Sequence, residues 1–233
     1  MEPAPREVLP DHRPLTEDEL RYVWDLYCES VDFAAVRLAR ESLLSVGPPK
    51  VVGNTVHMPS TWGGQPLFDG SNRLTHAGLR ILVHELGHVW QYQNGGMAYI
   101  PESLWAQARS MMLGDGRKGA YVWQNAYNES VPWAQWNPEQ QATAIEHYDA
   151  ARRRIGAGEA DSGDHQITQA LLPVIEKVRR GEGAPHFSKA GATFGGVVMA
   201  VVFGGMISLL MGPVYGLSAA LIAAALGVYI GGC

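Results

Sequence analysis

The chain has 233 residues, which is enough for one domain of ordinary size with an appendage. Its formal net charge is −5 and its basic residues form no stripe, so nucleic acid is not expected as a partner. The two cysteines, Cys28 and Cys233, lie far apart in sequence, which argues against a disulfide framework and against a cysteine-based zinc site.

The first part of the chain combines a polar lead with a helix. Residues 1–14 are proline-rich and are predicted to be flexible, and they do not resemble a cleaved secretory signal peptide. The chain is therefore expected to be made in the cytoplasm and to stay there, or to leave by a route that needs no such signal. Thr16 and Glu19 form a capping-box pattern, which predicts a helix from residue 17 to about residue 31.

Two short strands are predicted next, in "FAAVRLAR" (33–40) and "NTVHMP" (54–59), around the turn residues Gly47-Pro48-Pro49. Residues 60–72 are predicted to be loop. A small sheet at this place can cover the following helix, and its edge strand can pair with an extended peptide.

The stretch "LRILVHELGHVWQYQNGG" (79–96) predicts a helix with metal-ligating residues. Apolar residues recur at three-four spacing, Thr75 is a suitable N-cap, and Asn94-Gly95-Gly96 provides a stop, so we expect a helix at about 76–94. His84 and His88 then lie one turn apart on one face and can hold a zinc ion. Glu85 can take a proton from a water on the open coordination position. The alternative is a pair of buried, hydrogen-bonded histidines on a core helix.

A catalytic zinc ion needs a third protein ligand, and a second predicted helix offers candidates. Asn137 is a good N-cap and Pro138 suits the first helical position, which places Glu139 in the first turn. Glu139 is the predicted third ligand, although the helix dipole alone also favours an acid there. The other candidates, in descending order, are Glu146, seven residues later on nearly the same face, and then His147 and Asp149.

The region between these helices is rich in aromatic residues. We predict a helix at 101–113 and interpret "AYVWQNAYNESVPWAQW" (120–136) as core rather than as the wall of a cleft, because large aromatic side chains are usually buried. Tyrosines that could stabilise an oxyanion are Tyr121, Tyr127 and Tyr148, and the sequence does not select among them.

The C-terminal part of the chain has the hydrophobicity pattern of membrane-inserted helices. A connector leads to a helix predicted at about 165–180, kinked or interrupted near Pro173. Residues 190–233 carry no charge and contain two apolar runs of about 18 residues each, close to the length that crosses a bilayer. They predict a membrane-inserted helical hairpin, and a buried hairpin in a soluble complex is the alternative. The basic residues just before it place residues 1–189 on the cytoplasmic side if insertion follows the usual route.

The motif "HELGHVWQYQNGG" (84–96), together with "NPEQQA" (137–142), resembles the zincin metallopeptidase toxin domains of bacteria. Such domains occur at the ends of type VI secretion spike proteins of the VgrG kind and in Rhs-associated toxins. The stretches "FAAVRLARES" and "VVGNTVHMPSTW" resemble the strand region of that family, so the resemblance covers roughly residues 15–150.

The resemblance implies a gluzincin-like site, with zinc on His84, His88 and Glu139 and with Glu85 as the general base. It also implies a peptide or protein substrate, and a secretion-spike or immunity protein as partner. The protein would then be made in a bacterial cytoplasm and would be membrane-associated or exported as an effector.

The sequence as a whole predicts an α+β protein, mostly helical with a small sheet. Its predicted parts are the lead (1–14), a zincin-like metallopeptidase domain (15–156), a connector with a helix (157–189) and a hydrophobic, glycine-rich helical hairpin (190–233). The predicted function is zinc-dependent hydrolysis of peptide bonds, in keeping with an antibacterial effector. The alternative is a membrane-damaging protein in which the hairpin is toxic and the zinc fold is a scaffold.

Overall fold

The computed structural model describes residues 8–40, 47–100, 102–103, 106–107 and 117–185. Within these residues the protein has the predicted α+β composition, with helices around a small sheet. The chain divides into two compact units, one of Met1–Asn94 with Gln141–Ala184 and one of Gly95–Gln140 with Pro185–Cys233. The predicted hairpin at 190–233 lies outside the described residues, as does most of the helix predicted at 101–113. None of the helices that the structure describes is both long enough and apolar enough to span a membrane.

The larger sheet has four strands in the order β1-β2-β4-β3. The strands are β1 (His12–Arg13), β2 (Arg37–Arg40), β3 (Lys50–Val52) and β4 (Thr55–Met58). The parallel pair of β2 and β4 confirms the two predicted strands, and β1 and β3 add antiparallel edges that were not predicted. Leu38 and Val56, which are paired at the centre of the sheet, are fully buried, so this sheet forms part of the core.

The predicted loop at 60–72 contains a small second sheet. Strands β5 (Thr61–Trp62) and β6 (Gln65–Pro66) form an exposed antiparallel hairpin. Gly63 and Gly64 have φ angles of +58° and +77°, and glycine adopts this left-handed region without steric cost. Each strand has only two residues, which explains why the sequence pattern did not show them.

Helix α1 (Glu17–Tyr27) begins as predicted, because the Thr16 side chain accepts from the Glu19 backbone N–H and the Glu19 side chain accepts from the Thr16 N–H. It ends earlier than predicted, and a 3₁₀ turn follows at Cys28–Ser30. The Tyr27 side chain is fully buried, and its hydroxyl donates to the Val83 carbonyl at 2.7 Å. Helix α1 is thereby fixed to the helix that carries the two histidines.

Helix α2 (His76–Gly95) confirms the helix predicted at 76–94. The hydroxyl of Thr75 accepts from the Gly78 N–H at 3.1 Å, which is the predicted N-cap. The apolar stripe predicted for this helix forms its buried face, in which Leu82, Val83, Leu86, Val89 and Trp90 are fully buried. The histidine-bearing helix is thus the centre of the core of the first unit.

Two further helices contribute to this unit, the first of them from Gln141 onwards. Helix α4 (Pro138–Ala157) begins at the predicted N-cap, where Asn137 Oδ1 accepts from the Gln140 N–H at 2.9 Å. Helix α5 (Ser162–Arg179) confirms the helix predicted at about 165–180; of the kink or interruption predicted near Pro173, the interruption is wrong, because the helix continues through it. A buried contact joins α5 to α2, since the Trp90 indole N–H donates to the Val178 carbonyl at 2.9 Å.

The short helix α3 (Trp123–Asn128) lies in the second unit. The indole rings of Trp123 and Trp136 stack with centroids 6.2 Å apart, and Trp133 meets Trp136 edge-on at 5.3 Å. All three tryptophans are buried, as the interpretation of this aromatic region as core predicts, whereas Val122 and Tyr127 are exposed.

Candidate metal centre

The structure brings together the three residues that were predicted to bind the metal. One nitrogen from each of His84 and His88 and one oxygen of Glu139 lie within 4.8 Å of one another. The side chain of His84 is 15% exposed, whereas His88 and Glu139 are buried. This group could therefore hold a metal ion in a largely water-excluded place.

The placement of these residues follows from a close approach of α2 and α4. A Cβ added to Gly87 would lie only 3.1 Å from the Cα and Cβ atoms of Ala142, so glycine lets the two backbones come unusually near. Gly87 lies between the two histidines on α2, and Glu139 precedes Ala142 by one turn on α4. The glycine of the motif thus allows a close approach of the two helices at Ala142.

His88 is oriented by a buried amide. Its Nδ1 lies 2.8 Å from Oε1 of Gln91, one turn further along α2. Gln91 Nε2 in turn donates to Gln141 Oε1 at 3.1 Å, and Gln141 Nε2 donates to the Gly183 carbonyl at 2.9 Å. Because Nδ1 faces Gln91, Nε2 is the nitrogen that His88 can offer to a metal ion.

His84 is oriented by a carboxylate. Its Nδ1 lies 3.3 Å from Oε2 of Glu146, and Arg80 Nη2 lies 3.3 Å from Oε1 of the same residue. Burial alone would raise the pKa of Glu146, but the hydrogen bond and charge of His84, with the charge of Arg80, outweigh it and lower the pKa. Glu146 was the second candidate for the third ligand, and the structure places it beside the ring of His84 and leaves it out of the ligand group.

Glu139 is held in place by two side-chain donors that lie more than thirty residues before it in the sequence. The hydroxyl of Ser103 and the side-chain amide of Gln107 both donate to its Oε1, the latter at 2.9 Å. Both bonds end on the same oxygen and restrict the position of this carboxylate. Glu139 Oε2 is then the oxygen that we expect on a metal ion.

The remaining candidates lie outside the ligand group. His147 is partly buried, which lowers its pKa, and Asp149 accepts from Arg152 Nε and Arg153 Nε at 2.8 Å each, so it serves an ion-pair network. Among the tyrosines proposed for the oxyanion, Tyr148 is buried and Tyr127 is 44% exposed. The described geometry does not select an oxyanion donor among them.

The donor set suits a borderline divalent ion. Two imidazole nitrogens and one carboxylate oxygen are a common protein ligand set of catalytic zinc, and they leave a coordination position for water or substrate. Glu85, directly after His84, is buried with 5% of its surface exposed.

Sequence reasoning missed the residues that support the ligands. Gln91 follows His88 by three residues, and this spacing on a helix could have indicated a contact with the ring. Gln141, Ser103 and Gln107 had no local signal, because their contacts depend on how distant segments pack. The role of Glu146 was also missed, since spacing alone shows which face it shares and not which atom it reaches.

Comparison of the chain with protein-family models, with curated proteins and with solved structures gave no match.

Proposed function

We propose that this protein is a zinc-dependent metallopeptidase with His84, His88 and Glu139 as the metal ligands and Glu85 as the general base. The observation that carries the proposal is the grouping of the three donor atoms within 4.8 Å on two helices, from residues distant in sequence. The nitrogen donors favour zinc over magnesium or calcium, which prefer oxygen ligands. The resemblance to bacterial zincin toxin domains supports the same activity, a zincin fold and a role as a secreted effector.

A bound zinc ion would supply Lewis acidity and lower the pKa of a coordinated water towards neutrality. Glu85 would accept a proton from the attacking water, and the water oxygen would form a bond to the carbonyl carbon of the peptide. When the C–N bond breaks, Glu85 would deliver that proton to the leaving nitrogen, which departs as an amine. The burial of Glu85 keeps its carboxylate away from bulk water, as a group that exchanges a proton with one bound water requires.

Three variants test the assignment of roles. Glu85→Gln should keep one bound zinc ion per chain and lose hydrolysis of a mixed set of fluorogenic peptides, because only the proton acceptor is removed. His84→Ala and Glu139→Ala should lose both zinc and hydrolysis. Glu129→Gln changes an exposed acid in the same way and should behave as wild type.

Elemental analysis and the peptide assay give the decisive results. A Glu85→Gln protein with full hydrolytic activity would refute the role of Glu85, and a wild-type protein that binds no zinc at neutral pH would refute the metal centre. If Glu85→Gln kept the full toxicity of the wild type in cells, the activity would have to be assigned to residues 190–233 instead.

A further inference from the structure

We infer that Gln91, Gln141 and the Gly183 carbonyl form a hydrogen-bond relay that fixes the tautomer of His88 and couples it to the segment after α5. The inference deepens the proposed function and, for its effect on zinc, depends on it. The tautomer itself is a property of the metal-free protein.

The relay is continuous and buried. The steps are 2.8 Å from His88 Nδ1 to Gln91 Oε1, 3.1 Å from Gln91 Nε2 to Gln141 Oε1, and 2.9 Å from Gln141 Nε2 to the Gly183 carbonyl oxygen. Gln91 and Gln141 are 1% and 0% exposed, and His88 is 7% exposed. Bonds at these distances away from water have well-defined donors and acceptors.

The direction of every bond follows from the last acceptor. A backbone carbonyl can only accept, so the atom of Gln141 that faces Gly183 must be its nitrogen, and the oxygen of Gln141 must face Gln91. Gln91 then has to donate its nitrogen to Gln141 and turn its oxygen towards His88. An amide oxygen is an acceptor, so His88 must carry its proton on Nδ1. The assignment thus does not depend on distinguishing amide nitrogen from oxygen by their positions alone.

This tautomer is the one that a metal site requires. With the proton on Nδ1, the lone pair of Nε2 is available to a metal ion. In the other tautomer, Nε2 would carry a proton, and that proton would have to leave or move before the nitrogen could bind metal. His84 obtains the same tautomer differently, from the charged Glu146. The two ligands therefore have independent supports, one an amide relay and one a carboxylate.

The relay extends the support of His88 to the end of α5. Gly183 lies in the turn after α5, and both the last turn of α5 and this turn lie against α2. Trp90 Nε1 donates to the Val178 carbonyl, and a Cβ added to Gly181 would lie 2.4 Å from Asn94 Oδ1. Binding free energies are reciprocal, so if docking of this turn strengthens metal binding, metal binding must stabilise the docked turn by the same amount.

Substitutions of Gln91 in the full chain test the relay directly. Gln91→Met keeps an unbranched side chain but removes the acceptor, so in the metal-free protein His88 should populate both neutral tautomers. Gln91→Glu keeps an acceptor for His88 Nδ1–H and should restore the single tautomer, although it breaks the bond to Gln141. Long-range ¹H–¹⁵N correlation spectra of the imidazole rings distinguish the tautomers. The tautomer of His84, set by Glu146, is the internal control, and Gln124→Met at an exposed position is the matched control variant.

Zinc affinity and hydrogen exchange give the second readout. Removal of the partner that orients a ligand should lower the zinc affinity by about 10–100-fold. Competition with a chelator should show this lower affinity in Gln91→Met and Gln141→Met. Zinc should slow amide exchange in residues 178–185 of the wild type and should do so less in Gln141→Met. If both variants fail to fold, the wild-type tautomer and the effect of zinc on exchange still test the inference.

Each failure has its own signature. A proton on Nε2 of His88 in the wild type, or an unchanged tautomer in a folded Gln91→Met protein, would overturn the relay. If zinc slowed amide exchange in residues 178–185 equally in the wild type and in Gln141→Met, the coupling would be overturned. A wild type that shows the expected tautomer but binds no zinc would support the relay and refute the proposed metal centre.

Discussion

The replacement of Gly87 by alanine tests how closely the metal ligands depend on the contact between α2 and α4. The added methyl group would lie 3.1 Å from the Cα and Cβ atoms of Ala142, and 3.8 Å from the Ile145 Cδ1 atom. Carbon atoms pack best at about 3.5–4.0 Å, so the two helices would have to separate by about 0.4–0.9 Å at this point. Glu139 lies one turn away on the helix that must move.

Two opposing effects determine the stability of Gly87→Ala. Alanine in a helix interior is more favourable than glycine by about 1 kcal/mol, whereas overpacking of a tight contact costs about 1–3 kcal/mol. We therefore expect the free energy of unfolding of the metal-free protein to fall by between zero and about 2 kcal/mol. Zinc binding is more sensitive, because metal–ligand distances tolerate only about 0.2 Å. We expect zinc affinity to fall at least tenfold, which corresponds to about 1.4 kcal/mol.

The measurement combines denaturant unfolding of the metal-free protein with zinc competition against a chelator. Gly156→Ala is the matched control, since Gly156 lies in α4 and an added Cβ there has nothing within 4 Å. The control should be unchanged or stabilised by up to about 1 kcal/mol, with wild-type zinc affinity. A Gly87→Ala protein that binds zinc as tightly as the wild type would refute the role of this contact in placing Glu139.

Two further predictions concern carboxylates. Glu146→Ala should retain one zinc ion per chain but bind it about 10–100-fold more weakly, because His84 loses the acceptor of its Nδ1–H. Glu146→Gln keeps an acceptor and should largely restore the affinity. Loss of all zinc in Glu146→Gln would instead make Glu146 a ligand. Glu19 accepts from Arg13 Nη1 and Nη2 at 2.7 Å, and although burial alone would raise its pKa, Arg13 and the Thr16 N–H lower it below 4.5. A lowered folded-state pKa means that this stabilisation is complete above pH 4.5 and is lost as the pH falls through the folded-state value. In Glu19→Gln the free energy of unfolding at pH 7 should fall by about 3–5 kcal/mol. Its free energy of unfolding, measured by denaturation at a series of pH values, should also depend less on pH in the acid range. An unchanged dependence on pH would contradict this.

The sequence predicted the helices of the site because their signals are local. Thr75 and Asn137 are caps that act on backbone groups three residues away, and the apolar stripe of α2 has the period of a helix. The placement of Glu139 was predictable for a further reason: a motif with two histidines needs a third ligand, and few acids follow at a good helix start. The helix predictions thus used chemistry that operates over a turn or two of chain, whereas the prediction of Glu139 also used the need of a metal ion for a third ligand.

The rest of the site depends on distant packing. Strands β1 and β3 have two and three residues and are defined by hydrogen bonds to partners elsewhere, so no alternation could show them. Glu146 shares nearly the same helical face as Glu139, and only the distances within the fold show that it reaches Nδ1 of His84 and not the ligand group. Gln141 precedes its partner Gly183 by a long stretch of chain, and nothing local in the sequence connects them.

The three ligands have supports of different chemical kinds, and this difference has a consequence for metal affinity. A carboxylate orients His84, an amide relay orients His88, and a hydroxyl with a side-chain amide holds Glu139. A ligand that is already oriented loses little conformational freedom when it binds, so most of the ordering is done when the chain folds. Zinc affinity should therefore respond to residues that never touch the metal, such as Gln141 and Gly87. The five-residue motif supplies two of the three candidate metal donors, and in the proposed zinc site the packing of α2 against α4 and α5 should set the affinity.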